Sequence, residues 1–300
     1  MNPHNISGIH IELTDICVLK CPGCARTKFI DQWPQYWTNN SLDITTVLKF
    51  LDIDLHGKLI TLSGVYGDPI YHPQFIEFVK QIKIKKASLS IVTNGSYKKQ
   101  SWWLEMVQYL TNQDTVVFSV DGVPENFTQY RINGDWSSIK IGMEACVSAN
   151  CNTHWKYIPF SYNQHTIEQA RMLSNQIGID TFIVTPSSRY DNTTMHFKPT
   201  NELIGNQFDN QQLWKNSVSV GQLNPKCANN QEHFISAQGY YSPCAFLADH
   251  RFYYKTIFGK NKKHYSIKDR TLTEILSQDQ TINFLQTLDQ NSCCQFNCAT

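Results

Sequence analysis

Six short, β-branched apolar runs recur along residues 8–186, and most are separated by stretches with helical spacing. The runs are GIHIEL (8–13), LITLSG (59–64), SLSIVTNG (88–95), TVVFSVDG (115–122), HWKYIPF (154–160) and DTFIVTP (180–186). Between them, SLDITTVLKFLDI (41–53), PQFIEFVKQIK (73–83), SWWLEMVQYL (101–110), SSIKIGMEACVSA (137–149) and TIEQARMLSNQIG (166–178) carry apolar residues at helical spacing. Pro73 stands early in its helix, where a missing N–H costs least, and Gly178 supplies a C-terminal stop. Alternating strands and helices predict a parallel sheet with crossover helices. An open doubly wound sheet and a full or partial barrel both satisfy that order.

The alternation ends at Pro186. Residues 187–226 are polar, rich in Asn and Gln, and read as a connecting segment. Five of the ten cysteines follow: Cys227, Cys244, Cys293, Cys294 and Cys298. This clustering predicts a second, metal-dependent module, with a hairpin turning at Ala237–Gly239 and a helix over TLTEILSQ (271–278). The expected organisation is therefore 1–190, 191–226 and 227–300. A net charge of +1 gives no sign of a nucleic-acid or acidic-membrane partner. The N-terminus lacks the apolar core of a secretory signal, and no stretch approaches the roughly 20 apolar residues that span a bilayer. The chain reads as cytoplasmic, where cysteines favour metal ligation or catalysis over disulfides.

Directly after the first strand, DICVLKCPGCART (15–27) places Cys17, Cys21 and Cys24 at Cys-x3-Cys-x2-Cys spacing. Zinc sites usually offer two cysteine pairs, or a pair with downstream histidines. Three thiols in one loop suit a four-iron cluster that keeps one iron open to an exogenous ligand. The loop leaves a strand end, where parallel α/β folds place their ligands.

This spacing resembles the signature of the radical S-adenosylmethionine enzymes, and the likeness continues in order through residue 186. SGVYGDPIYHP (63–73) is similar to the family's Gly-Gly-Glu-Pro stretch. VTNG (92–95) ends the third strand as in many members. FSVDGVPENFTQYR (118–131) is similar to its Ser-x-Asp-Gly segment followed by an arginine. The resemblance implies a partial (β/α)6 TIM-like barrel. It also implies a [4Fe–4S] cluster on Cys17, Cys21 and Cys24 that cleaves S-adenosylmethionine to methionine and a 5′-deoxyadenosyl radical, which abstracts hydrogen from substrate. The backbone of Gly67, Asp68 and Pro69 would receive the cofactor's ammonium; Ser119 and Arg131 would take its carboxylate. Ser119 reads also as a strand-end hydroxyl and Arg131 as a surface ion pair; Asn94 reads as a turn residue standing behind the ligand contacts, and Asp121 as a cap on the turn at Gly122. Many members carry an aromatic residue before the third cysteine, stacked on the adenine. Here Gly23 stands there, and that apolar contact must come from elsewhere.

CANNQEHFISAQGYYSPC (227–244) resembles the opening of the SPASM and Twitch auxiliary-cluster modules. The Twitch arrangement, with one cluster, is the better match to five cysteines. It implies that Cys227, Cys244, Cys294 and Cys298 hold an auxiliary [4Fe–4S] cluster. Read as extended chain, neighbouring Cys293 and Cys294 point apart, so Cys293 is left over. Facing the barrel mouth, Cys293 would be a candidate hydrogen-atom donor. A zinc knuckle would stabilise such a module equally well. Cys146 and Cys151 read as structural. The first strand begins near residue 8, so a leader-gripping N-terminal domain is not expected. The substrate is then a small molecule, or a peptide delivered by a separate leader-binding protein, with flavodoxin or ferredoxin as reductant. Two other readings stand beside this one: a Twitch-type dehydrogenase of a sugar-like alcohol, and a zinc-stabilised binding protein without activity.

Overall fold

The computed structural model describes residues 5–149, 151–187, 190–203, 223–229, 231–288 and 292–298. Six strands form a continuous parallel sheet: β1 (Gly8–Ile11), β2 (Leu59–Leu62), β3 (Ser88–Thr93), β4 (Thr115–Ser119), β5 (Asn152–Tyr157) and β6 (Thr181–Val184). They lie in chain order and the sheet does not close, as expected of a partial barrel. The helices are α1 (Ala25–Gln32), α2 (Ile44–Phe50), α3 (Phe75–Ile84), α4 (Gln100–Val107), α5 (Trp136–Ser148) and α6 (Ile167–Ile177).

The strands alternate as the period of two requires. Leu89 and Ile91, Val116 and Phe118, and Trp155 and Tyr157 are buried, whereas Ser119, His154 and Lys156 between or beside them are only half-buried. Helix α3 buries Phe75, Phe78, Val79 and Ile82, a stripe at helical spacing. Asp43 and Asp135 cap α2 and α5 by accepting from Thr46 N and Ser138 N. Gly178 ends α6 in the left-handed conformation, as its sequence position predicts. Helix α1 was not expected: none of its residues is buried, so ARTKFIDQ carries no apolar stripe to announce it.

The C-terminal hairpin forms at the expected turn and joins the same sheet. Strand β7 (Phe234–Ile235) lies parallel to β1, with His10 opposite Phe234, and β8 (Tyr241–Ser242) lies antiparallel to β7. His10 N donates to His233 O at 2.7 Å and Glu12 N to Ile235 O at 2.9 Å. Residues 272–276 are helical within the expected 271–278. Part of the connecting segment, residues 204–222, lies outside the described residues. Among the described residues no helix is long and apolar enough to cross a membrane.

His233 makes this junction pH-sensitive. It is fully buried, with Nδ1 2.8 Å from the Tyr241 hydroxyl. Burial lowers its pKa from 6.5 to about 4. A base with a depressed folded pKa contributes stability that is complete above pH 6.5 and is lost as pH falls towards 4. The full window is worth roughly 3 kcal/mol, at about 1.4 kcal/mol per unit. Urea titrations at pH 7 and pH 4.5 should show His233→Gln losing less stability on acidification than the wild type. An equal loss in both would show that His233 carries no part of the acid sensitivity.

Candidate functional site

The site is built at the C-terminal ends of the strands. Cys17, Cys21 and Cys24 lie on the loop between β1 and α1; Cys21 is buried and the other two are half-buried. Cys24 stands at the N-cap of α1, and its N–H donates to Cys21 O at 3.1 Å, which folds the loop back on itself. Burial pushes the Cys17 and Cys21 thiols up to about 12. A metal must therefore displace their protons.

Neighbouring loops close around these thiols. Asn94, at the end of β3, directs Nδ2 at Cys17 Sγ, 3.6 Å away, and at Asp68 Oδ2, 2.5 Å away. The buried Asp68 carboxylate also accepts from Asn94 N at 2.6 Å and Thr93 Oγ1 at 3.1 Å, and it caps the turn that begins at Pro69. Its pKa is raised to about 6 because burial outweighs these bonds. Gly67 packs directly on the cysteine loop: a Cβ there would sit 1.9 Å from Thr14 O, so only glycine fits. Asp68 N donates to Ile16 O at 3.0 Å, which pins the Gly67–Pro69 turn to the residue before Cys17. Glu12, buried at the end of β1, accepts from Tyr66 N at 2.7 Å and Gly67 N at 3.1 Å.

Arg131 approaches from the connection between β4 and α5. Its Nε donates to Asp121 Oδ2 at 2.6 Å, and Asp121 Oδ1 accepts from Ile158 N at 2.9 Å. The pair is buried, not a surface contact: Asp121 is fully enclosed and Arg131 largely so. The guanidinium also lies beside Cys21. Burial opposes its charge, but Asp121 and the Cys21 thiol more than offset this and raise its pKa. Ser119 ends β4, half-buried, and its hydroxyl meets no hydrogen-bond partner among the described residues. Sequence reasoning put Asn94 in a turn behind the ligand contacts, and it serves both ways: Oδ1 accepts from Ser96 N at 2.9 Å while Nδ2 points at Cys17 Sγ; Asp121, read as a turn cap, instead holds the guanidinium. A hint lay in their positions, each at the end of a strand that points to the cysteine loop.

The donor set fits a cluster. Three thiols leave one corner of a four-iron cube without a protein ligand, and a guanidinium and an amide N–H face the sulfurs, the kind of outer contact that tunes such centres. Among the described residues no group of three or more His, Cys, Asp or Glu side chains is drawn in around a single ion.

The C-terminal thiols gather separately. Cys227 and Cys294 pack in one small buried cluster with Leu288. Each of Cys227, Cys244 and Cys294 lies within electrostatic reach of Cys298. Burial pushes Cys227 up to about 12 and Cys244 up to about 11. The extended chain expected around Cys293 and Cys294 is in fact a helix, Ser292–Cys298. A four-residue separation puts Cys294 and Cys298 on one face of it, and Cys293 is rotated away by about 100°. Cys293 is itself buried. Cys146 and Cys151 are buried at the junction of α5 and β5, where Cys151 Sγ donates to Cys146 O at 3.3 Å, as structural thiols would.

A cavity of about 370 Å³ opens beside the cysteine loop, lined among others by Asp15, Phe29, Trp37, Tyr66, Gln238 and Tyr240. It lies between α1, the loop after β2 and the β7–β8 hairpin.

Comparison with known proteins agrees with this geometry. A curated relative from Pyrococcus furiosus, the tungsten-containing aldehyde ferredoxin oxidoreductase cofactor-modifying protein, is 25% identical over 201 residues, covering 59% of this chain and 50% of that protein. The chain thus spans half the length of that relative. The fold is similar to that of Streptococcus suis SuiB bound to S-adenosylmethionine, with a TM-score of 0.63 at 12% identity, over 95% of this chain and 69% of SuiB. It is also similar to anSMEcpe with bound AdoMet and the Kp18Cys peptide, with a TM-score of 0.59 at 13% identity, over 97% of this chain and 88% of that one. The sequence model of the Radical SAM superfamily matches residues 11–177, from the last residue of β1 to the last of α6. Because that match takes in more than half of the chain, with the cysteine loop and strands β2 to β5, this chain belongs to the radical SAM superfamily.

Proposed function

We propose that this chain is an enzyme that cleaves S-adenosylmethionine reductively and uses the resulting radical on a small molecule or a peptide, with one auxiliary [4Fe–4S] cluster in its C-terminal module. Superfamily membership implies S-adenosylmethionine and a [4Fe–4S] cluster as cofactors. The observation that carries the reading is the convergence of Cys17, Cys21, Cys24, Asn94 and Arg131 on one loop at the strand ends. When bound, the reduced cluster supplies the electron that breaks the sulfur–carbon bond of S-adenosylmethionine.

The chain's own residues would bind and orient. The Gly67, Asp68 and Pro69 backbone, held against Ile16 and Thr14, would receive the cofactor's ammonium, with Asp68 O and Pro69 O also accepting from Tyr71 N at 3.1 Å and His72 N at 3.0 Å. Ser119 presents an unengaged hydroxyl for its carboxylate. Asp121 takes only the Nε donor of Arg131, which leaves further guanidinium N–H groups for the same carboxylate. Cys227, Cys244, Cys294 and Cys298 are the proposed auxiliary ligands, and Cys293, provided it faces the barrel mouth, the candidate hydrogen donor. The division at 1–190, 191–226 and 227–300 follows these two sets. A cavity of about 370 Å³ beside the cysteine loop is of a size for a small molecule or a peptide side chain. A flavodoxin or ferredoxin would deliver the electron, and a separate leader-binding protein would present a peptide.

Dithionite-reduced, anaerobically reconstituted protein should release 5′-deoxyadenosine from S-adenosylmethionine, and mass spectrometry of trial substrates should reveal the altered product. Replacing Cys227, Cys244, Cys294 and Cys298 with Ala should remove roughly half the iron, whereas Cys293→Ala should keep it all, and should stall turnover where Cys293 faces the barrel mouth. Stoichiometric zinc in place of iron would reject the auxiliary cluster.

A further inference from the structure

We propose that Tyr130, from the connection between β4 and α5, is the aromatic wall against which the purine of S-adenosylmethionine rests. The inference depends on the reading above. It begins with Gly23, the residue before Cys24. A Cβ at Gly23 would stand 2.5 Å from the Tyr130 hydroxyl and 3.5 Å from Tyr130 Cζ. The space that a side chain at 23 would enter is already filled by the tyrosine. A bulky residue at 23 and tyrosine at 130 exclude one another, and this chain has taken the second option.

The ring cannot swing aside. Phe160 stacks on it, with centroids 4.1 Å apart and planes 28° from parallel, and Phe197 meets it edge-on at 5.3 Å. Phe160 and Phe197 are buried, whereas Tyr130 is half-buried. Tyr130 thus keeps part of its surface open on an anchored aromatic base. Its hydroxyl makes no hydrogen bond among the described residues, and it lies against the cysteine loop itself. A flat heteroaromatic ring with nitrogen donors and acceptors is the ligand chemistry that suits a fixed ring and an unengaged hydroxyl. Tyr130 also precedes Arg131, which lies beside Cys21. One turn of chain would then set the nucleoside wall and the contact to the thiols together.

The test is a reciprocal swap in reconstituted protein, read by calorimetric titration of S-adenosylmethionine without reductant and by iron content. Tyr130→Ala should weaken binding about tenfold or more, as loss of base–aromatic stacking does, at wild-type iron content. Tyr130→Phe should bind within about twofold of wild type, since the stacking face remains. Gly23→Phe alone should also bind poorly, because its ring collides with Tyr130. The double variant Gly23→Phe/Tyr130→Ala should regain most of the affinity and keep the iron, which separates the wall from general damage to the fold. Tyr130→Ala binding as tightly as wild type, or a double variant no better than either single one, overturns the proposal. Failure of the wild type to bind S-adenosylmethionine at all would instead strike the reading on which the proposal rests.

Discussion

Protein in which Cys17, Cys21 and Cys24 are all replaced by Ala is expected to retain roughly four of roughly eight irons and to release no 5′-deoxyadenosine. The loss should be complete because the open iron corner vanishes with its three anchors. The halves should separate cleanly because the two thiol groups share no element: one lies between β1 and α1, the other on the segments after residue 223. Iron analysis with electron paramagnetic resonance of the reduced protein checks both points. Unchanged iron in the triple variant would mean that the loop does not hold the cluster.

The second large effect is expected at the Asp121–Arg131 pair. Arg131→Ala should destabilise the apoprotein by about 3–5 kcal/mol, because it strands a fully enclosed carboxylate without its counter-charge. Arg131→Met/Asp121→Asn should recover most of that loss. Two buried charges are often replaceable as a unit, and the asparagine oxygen can still accept from Ile158 N. The recovered variant should nevertheless bind S-adenosylmethionine weakly, since no guanidinium remains for the carboxylate. Guanidinium chloride unfolding and ligand titration read the two effects apart. Equal stability of Arg131→Ala and wild type would show that the pair contributes nothing to the fold.

Strand order and the cysteine loop were legible because both are local patterns. Alternation of two in Leu89, Ile91 and Thr93, and a fixed spacing in Cys17, Cys21 and Cys24, need no knowledge of distant residues. What escaped was either patternless or long-range. Helix α1 buries nothing, so no periodicity marks it. Ser292–Cys298 is polar apart from its thiols and one phenylalanine, and its helical form removes the extended-chain argument for choosing Cys294 over Cys293. The departure at Gly23 could be seen in the sequence, but Tyr130 lies on another connection, and only folding brings its hydroxyl to that place. The same holds for Asp121, whose partner Arg131 was noticed but not paired with it.

The parallel pairing of His10 with Phe234 also sets a timetable for synthesis. Strand β1 leaves the ribosome more than 200 residues ahead of β7, for which one of its two edges waits. At typical elongation rates the delay is roughly ten to forty seconds. Through that interval β1 offers unpaired N–H and C=O groups, an open template for pairing with another nascent chain. Slow translation, or truncation before residue 234, would lengthen the exposure and favour aggregation. Strands β7 and β8 thus act as the clasp on the edge that β1 would otherwise leave open.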